Sequence, residues 1–221
     1  MNSHLLMFDF DGVIVDSFDY FFDAFMQSCR EHGYSRIRTR EDFIRLFETN
    51  MYEGMSRAGI GSEAIGPLLG TMGEILKHRD NGYDIFPGME QVLRRLAGDN
   101  ALVVVTSNLG SVVREYVRDR HLAIFDMVLG SEDGRSKVEK MERAMARNPG
   151  RVPYYIGDTM GDIREGHQAG ARTVGVGWGW HGAELLRSAA PDHIVNTPEE
   201  LPVIFGRGRS HRSGNERRML S

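Results

Sequence analysis

The stretch LLMFDFDGVIVDS, residues 5–17, decides how the chain is read. Leu5 to Phe8 is a short apolar run of the kind that forms a strand buried on both faces, and Asp9, Asp11 and Gly12 follow it at once. Two carboxylates two residues apart repel each other unless a cation or a proton relieves them. A polar turn with two solvated acids would account for a bare Asp-x-Asp, but the longer run DFDGVIVDS is far more specific.

Further short β-rich runs lie at 101–106, 126–129, 153–156, 173–176 and 193–195, and helical spacing falls between most of them, at 89–97, 111–118, 137–146 and 162–169. Strands alternating with helices at this spacing predict parallel βαβ units, an α/β chain with a parallel sheet flanked by helices. The stretch after the first strand breaks the alternation. Residues 17–82 show only helical patterns, at 18–32, 41–55 and 62–78, and eight of the 11 Phe lie within the first 47 residues. Phe18, Phe21, Phe22 and Phe25 share a helical spacing that suits helix packing. The expected organisation is a core domain of 1–16 and 84–205, an all-helical cap over 17–83, and a basic tail over 206–221 that reads as disordered. Pro87 and Gly88 mark the return linker.

Composition bounds the function. The chain has 221 residues, 41% hydrophobic and 26% charged, which suits a soluble globular protein. Its formal charge is −4, and because the tail carries +4 the preceding 205 residues sum to −8. No basic face or stacking aromatics accompany the tail, so no nucleic-acid partner is expected. Cys29 is the only cysteine, which excludes an intrachain disulfide or a cysteine-rich zinc site. No run of 18 apolar residues and no basic leader precede the first strand, so the expectation is a cytoplasmic protein without a membrane partner. Only Lys77, Lys137 and Lys140 are lysines; the other 24 basic residues are arginines.

Ligands of open α/β sheets bind beyond the carboxyl ends of the strands, and four polar clusters fall there. Asp9 and Asp11 form the first, and Thr106, Ser107 and Asn108 offer hydroxyls and an amide to an anion's oxygens. Lys137 opens a helix behind Ser136, where a cation opposes the helix dipole, so a nearby negative charge would explain it; Lys140 on the same face is its rival. Asp158 and Asp162 form the fourth, although Asp162 alone reads equally well as a helix N-cap. Together Asp9, Asp11, Asp158 and Asp162 describe an oxygen-only pocket suited to Mg²⁺, with Lys137 and Thr106 supplying charge and hydrogen bonds for a phosphoryl group.

The chain resembles the haloacid dehalogenase-like hydrolase superfamily, in the branch with a helical cap after the first strand, and looks most like phosphoglycolate phosphatases. DFDGVIVDS, VVVTSN, the isolated Lys137, IGDTMGDIREGHQAGARTVGVGWG, the FPGM linker and PDHIVNTPEEL carry the likeness. The resemblance implies a Rossmann-like core and a Mg²⁺-dependent phosphatase acting on a small phosphorylated metabolite through an aspartyl-phosphate. Asp9 would be the nucleophile, Asp11 the general acid and base, and Thr106 and Lys137 the phosphoryl clamp, with Asn108 assisting. Mg²⁺ would sit on Asp9, the Asp11 carbonyl and Asp158, with Asp162 orienting its water or Lys137. Lys137 lacks the family's usual Gly-Lys-Pro context.

Rival readings keep the fold. A haloalkanoate dehalogenase needs no acid at Asp11. A phosphosugar mutase must exclude water, and a phosphonate hydrolase needs a cap lysine, for which only Lys77 is available. A catalytically idle binding module would be expected to lose a core group, and none is missing. In the cap, Arg57 within the supposed turn 54–59 is a candidate for a substrate carboxylate. Trp178, Trp180 and His181 follow the fifth strand, where bordering the pocket and plain packing both fit. Lys140→Ala is expected to be tolerated.

Overall fold

The computed structural model describes residues 4–78, 82–134 and 136–205; the tail 206–221 lies outside them. Six parallel strands, β1 (His4–Phe8), β2 (Ala101–Val105), β3 (Met127–Leu129), β4 (Val152–Gly157), β5 (Arg172–Val176) and β6 (His193–Val195), form one sheet in the order β3-β2-β1-β4-β5-β6. This is the parallel α/β arrangement that the strand–helix alternation predicts and the Rossmann-like core that the resemblance implies. Period-two alternation sets its two faces. Leu6, Phe8, Leu102 and Val104 point into one apolar cluster, while Leu5, Met7, Val103 and Val105 point into the other. The first face is covered by α5 (Met89–Ala97) and α6 (Gly110–Asp119), through Leu93, Leu96, Val113 and Tyr116. The second is covered by α7 (Lys137–Ala146), through Met141 and Ala144, and α8 (Met160–Gln168) packs against both β4 and β5.

The strand order reverses at β1, which has β2 on one side and β4 on the other. The reversal opens a crevice at the carboxyl ends of β1 and β4, the place where open sheets of this order hold ligands. Pairing continues one residue past β1, because the Asp9 amide donates to the Ile156 carbonyl at 2.9 Å. This carries Asp9 alongside Gly157, the residue before Asp158.

The chain leaves this edge and returns to it side by side. Val15 and Ile85 form an antiparallel bridge, and the Asp16 and Phe86 amides donate to Asp84 and Ile14 carbonyls. Between the two passages lie α1 (Phe18–Glu31), α2 (Arg40–Arg45), α3 (Met51–Arg57) and α4 (Ser62–Lys77). They enclose a hydrophobic cluster of their own, with Phe25, Phe43, Met55 and Leu68 fully buried. The lone Cys29 sits in this cluster, where burial pushes its thiol up to about 11.

The single helix expected over 41–55 is two. Asn50 caps a new helix by accepting the Glu53 amide, and the close approach of Gly54 to the Leu46 carbonyl leaves no room for a side chain. Residues 54–57 are accordingly the end of α3 rather than a turn. The last helices of the described residues are α9 (Gly182–Leu186) and α10 (Leu201–Phe205). None of the described helices is long and apolar enough to cross a membrane.

Candidate active site

Asp9 is presented by the end of β1 and Asp158 by the end of β4, and Asp162 stands in the first turn of α8. Carboxylate oxygens of all three lie within 4.8 Å of one another, and all three residues are buried. Close approach of backbone makes this possible. A β-carbon on Gly12, at φ +74°, would stand 2.1 Å from Asp158 Oδ2, and one on Gly157 would stand 2.3 Å from Asp162 Cβ. Lys137 enters from the N-terminus of α7, and its Nζ donates to Asp9 Oδ2 at 2.5 Å and to Asp162 Oδ1 at 2.6 Å. The cation at an unfavourable helix end is thus explained by two carboxylates.

Asp162 is not the N-cap of α8. Thr159 is, its hydroxyl accepting the Asp162 amide at 3.2 Å while Asp162 Oδ2 accepts the Thr159 amide and hydroxyl at 3.0 and 2.7 Å. Asp162 Oδ1 accepts from Lys137 and, at 3.2 Å, from the Tyr155 hydroxyl. Both oxygens are therefore engaged in fixing Lys137 and the helix. Asp158 has one such tie, Oδ2 accepting the Trp180 amide at 2.8 Å. Asp11 Oδ1 accepts the Ser17 hydroxyl at 2.8 Å, and Asn108 Nδ2 approaches Oδ2 at 3.4 Å.

Thr106 is buried one residue past β2, the strand paired with β1, and its hydroxyl accepts the Asn108 amide at 3.0 Å, whereas Ser107 is exposed. Arg57 is not brought to the cluster: it is exposed at the end of α3 and paired with Glu53 at 2.5 Å. Lys77 is likewise exposed and paired, with Glu74 at 2.6 Å, which leaves a phosphonate hydrolase without its cap lysine.

Burial and mutual repulsion dominate the electrostatics. Desolvation raises Asp9 to about 6 against the pull of Lys137, and raises Asp11 to about 7 with help from the charge on Asp9. Asp158 is pushed well above the carboxylate range by burial and then by Asp162 and Asp9. For Asp162 burial is outweighed by Lys137, which holds it below its usual value. Burial also opposes the Lys137 ammonium, but Asp162 and Asp9 outweigh it and hold the lysine well above its usual value. One ammonium facing three buried carboxylates leaves surplus negative charge in a site with only oxygen donors. That donor set fits a hard divalent cation such as Mg²⁺.

Two participants have no role assigned from the sequence, Tyr155 and Thr159, which fix Asp162; only Thr159 leaves a local trace, the Thr-x-x-Asp spacing of a capping box. Trp180, for which bordering the pocket and plain packing both fit, fixes Asp158 through its amide. Glu165, one turn beyond Asp162, is raised to about 7 by burial beside this cluster.

The placement of Lys140 argues against a tolerated Lys140→Ala. Its ammonium is buried and donates to the Thr106 carbonyl at 2.5 Å and the Gly130 carbonyl at 3.2 Å. Lys140→Ala would leave both carbonyls without that donor, one of them on a site residue. Expected is a loss of about 2–3 kcal/mol together with a several-fold fall in any activity through Thr106, read by thermal melting and steady-state rates. An unchanged melting temperature would return Lys140 to a dispensable role.

The helical unit is docked over the site. The Gly161 amide donates to Phe47 O at 3.0 Å, Arg164 donates to Glu48 O, and His181 bridges Met160 N and Ile44 O at 3.0 Å each. Because His181 Nδ1 accepts from an amide, Nε2 carries the proton and donates to the carbonyl.

The sequence profile of haloacid dehalogenase-like hydrolases matches residues 6–176. The chain is 27% identical over 201 residues to a phosphoglycolate phosphatase of Synechococcus elongatus, covering 89% of this chain and 94% of the relative. It is 23% identical over 220 residues to the pyrophosphatase PpaX of Anoxybacillus flavithermus, covering 93% and 98%. A haloacid dehalogenase-like hydrolase of Streptococcus pneumoniae superposes with a TM-score of 0.77 at 20% identity, over 92% of this chain and 98% of that one.

Proposed function

We propose, for a chain that belongs to the haloacid dehalogenase-like hydrolase family, that it is a Mg²⁺-dependent phosphatase acting on a small phosphorylated metabolite of the phosphoglycolate type. The observation that carries the reading is the Lys137 ammonium held between Asp9 and Asp162, with Thr106 alongside, at the sheet's switch point. The named relatives, a phosphoglycolate phosphatase and a pyrophosphatase, both act on phosphorus compounds and support it.

In this reading Asp9 attacks phosphorus, the P–O bond to the leaving group breaks, and an aspartyl-phosphate forms. Asp11, raised to about 7 and so still about half protonated at neutral pH, gives its proton to the departing oxygen. The resulting carboxylate then takes a proton from the water that cleaves the acyl phosphate, and inorganic phosphate leaves. Lys137 and Thr106 hold the phosphoryl oxygens, and Asp162, with both oxygens committed, keeps the ammonium in place. Asp9 and Asp158 would hold the Mg²⁺, which when bound offsets charge on the transferring group. The docked helices act as a cap that keeps bulk water from the site.

Release of phosphate from p-nitrophenyl phosphate, assayed with Mg²⁺ and with a chelator, tests the reading. Turnover is expected with the metal and a fall of at least about 100-fold without it. Equal, negligible rates in both would sink the hydrolase reading in favour of an idle binding module.

A further inference from the structure

Among the described residues, one buried side-chain donor has no hydrogen-bond partner, the indole Nε1–H of Trp180. Leaving such a group unpaired is unfavourable, and native structures rarely do so without a reason. Its position is specific. The Trp180 amide binds the Asp158 carboxylate, and the indole enters the cap's aromatic cluster, 4.9 Å from Phe47 and 5.5 Å from Phe18 between ring centroids. The edge of the ring faces the site: Cδ1, the atom bonded to Nε1, lies 2.9 Å from where a β-carbon on Gly12 would stand. Gly12 directly follows Asp11, and by having no side chain it leaves that space to the Asp158 carboxylate and, beside it, the indole edge.

We propose that the Trp180 Nε1–H is a specificity-determining donor that receives an anionic oxygen carried by the leaving group of the substrate. The inference rests on the phosphatase reading, because that reading puts Asp11 on the leaving-group side, and the indole edge adjoins the residue next to it. The indole packs among Phe18, Phe43 and Phe47 and its N–H has no protein acceptor, so an oxygen reaching it makes its hydrogen bond at low dielectric. A substrate without such an oxygen leaves the donor unpaired when the cap is docked, and discrimination of this kind is stronger than an apolar pocket supplies. The required acceptor is a carboxylate or phosphate oxygen beyond the scissile bond, and the two sources are separable by assay.

The experiment compares the full chain with Trp180→Phe, which removes the N–H and keeps an aromatic ring in the cluster. Both proteins are assayed with Mg²⁺ on 2-phosphoglycolate, on pyrophosphate, and on ethyl phosphate, whose leaving group ends in a methyl. The expected result is a fall of about 10- to 100-fold in kcat/KM for phosphoglycolate, for pyrophosphate, or for both, with ethyl phosphate changed less than about 2-fold. The arm that falls identifies the oxygen as carboxylate or phosphate. Binding gives a readout free of turnover: in the Asp9→Asn background, Trp180→Phe should weaken by the same factor the calorimetric Kd of whichever compound showed the loss. An equal fall on all three substrates, no fall on any, or a lowered melting temperature with the kcat/KM ratios unchanged would overturn the proposal, the last by assigning the N–H to the aromatic cluster. A wild-type chain that melts normally but cleaves neither these three nor p-nitrophenyl phosphate refutes the phosphatase reading, whereas one that cleaves only p-nitrophenyl phosphate, or a selective enzyme whose selectivity ignores Trp180, overturns this proposal alone.

Discussion

Asp9→Asn should abolish phosphate release while leaving the protein folded. The amide keeps the shape of the carboxylate, so its oxygen can still accept the Phe10 amide now bound at 2.7 Å, and Lys137 retains Asp162. What is lost is the anionic oxygen that attacks phosphorus, and an amide does not replace it. The expected fall in kcat is on the order of 10⁴-fold or more, the scale on which loss of a nucleophile is felt. Stability should move the other way. A carboxyl raised to about 6 in the folded chain, against 3.8 outside it, binds more protons folded than unfolded across that interval. Its ionisation therefore costs stability as pH rises from about 4 to 6, and the cost stays above that range. Without added metal, Asp9→Asn should thus melt at or above the wild-type temperature at pH 7.5 and lose this part of the slope. Substantial turnover by the variant would remove Asp9 from the nucleophile's place, and a collapsed fold would show that the residue is structural.

The parts of this molecule legible in the sequence are those encoded locally. Leu5 to Phe8 reads as a buried strand because every side chain is apolar, and Asp9 and Asp11 stand out because a strand end is where carboxylates are neither needed for packing nor cheap to place. Lys137 could be singled out because a cation in the first turn of a helix wants a counter-charge, and the structure supplies two. Lys140 shows the limit. It lies on the same face three residues later, yet its ammonium ends on the Thr106 and Gly130 carbonyls, and nothing in the spacing distinguishes a lysine that meets carboxylates from one that meets backbone. The break between α2 and α3 was masked because apolar spacing runs on through it, while its causes, the Asn50 cap and the Leu46 carbonyl against Gly54, are polar and steric. Trp180 was legible only as one of two aromatics after a strand. Its contacts join Asp158, Gly12 and phenylalanines of α1, α2 and the turn after α2, far apart in the chain.

Lys137→Met should cost both activity and stability, and the stability loss should grow with pH. The ammonium is the only cation bonded to Asp9 and Asp162 among the described ion pairs, and both partners are almost wholly buried. Removing one side of a buried pair leaves the other uncompensated, typically at 3–5 kcal/mol. For a chain of this length that corresponds to a melting temperature lowered by about 6–20 °C. The pH dependence carries the diagnosis. In the wild type Asp162 is held below 3.8, so its ionised form adds stability above that value, and the contribution is lost as pH falls through the folded value. Without Lys137, burial and the charges of Asp9 and Asp158 raise it instead, and its ionisation subtracts stability as pH climbs. The two melting curves should therefore converge only as pH falls through the lowered folded value of Asp162, where the carboxyls of both proteins become protonated, and separate as pH climbs towards 7. Millimolar Mg²⁺ should recover part of the gap at pH 7, because a divalent cation among the same oxygens supplies the missing charge. It should not recover turnover, which is expected to stay down by about 10²- to 10³-fold for want of the donor that holds the phosphoryl oxygens. A constant gap between the curves at all pH values would mean that Lys137 contributes packing rather than charge, and would leave the surplus of buried carboxylate to the metal alone.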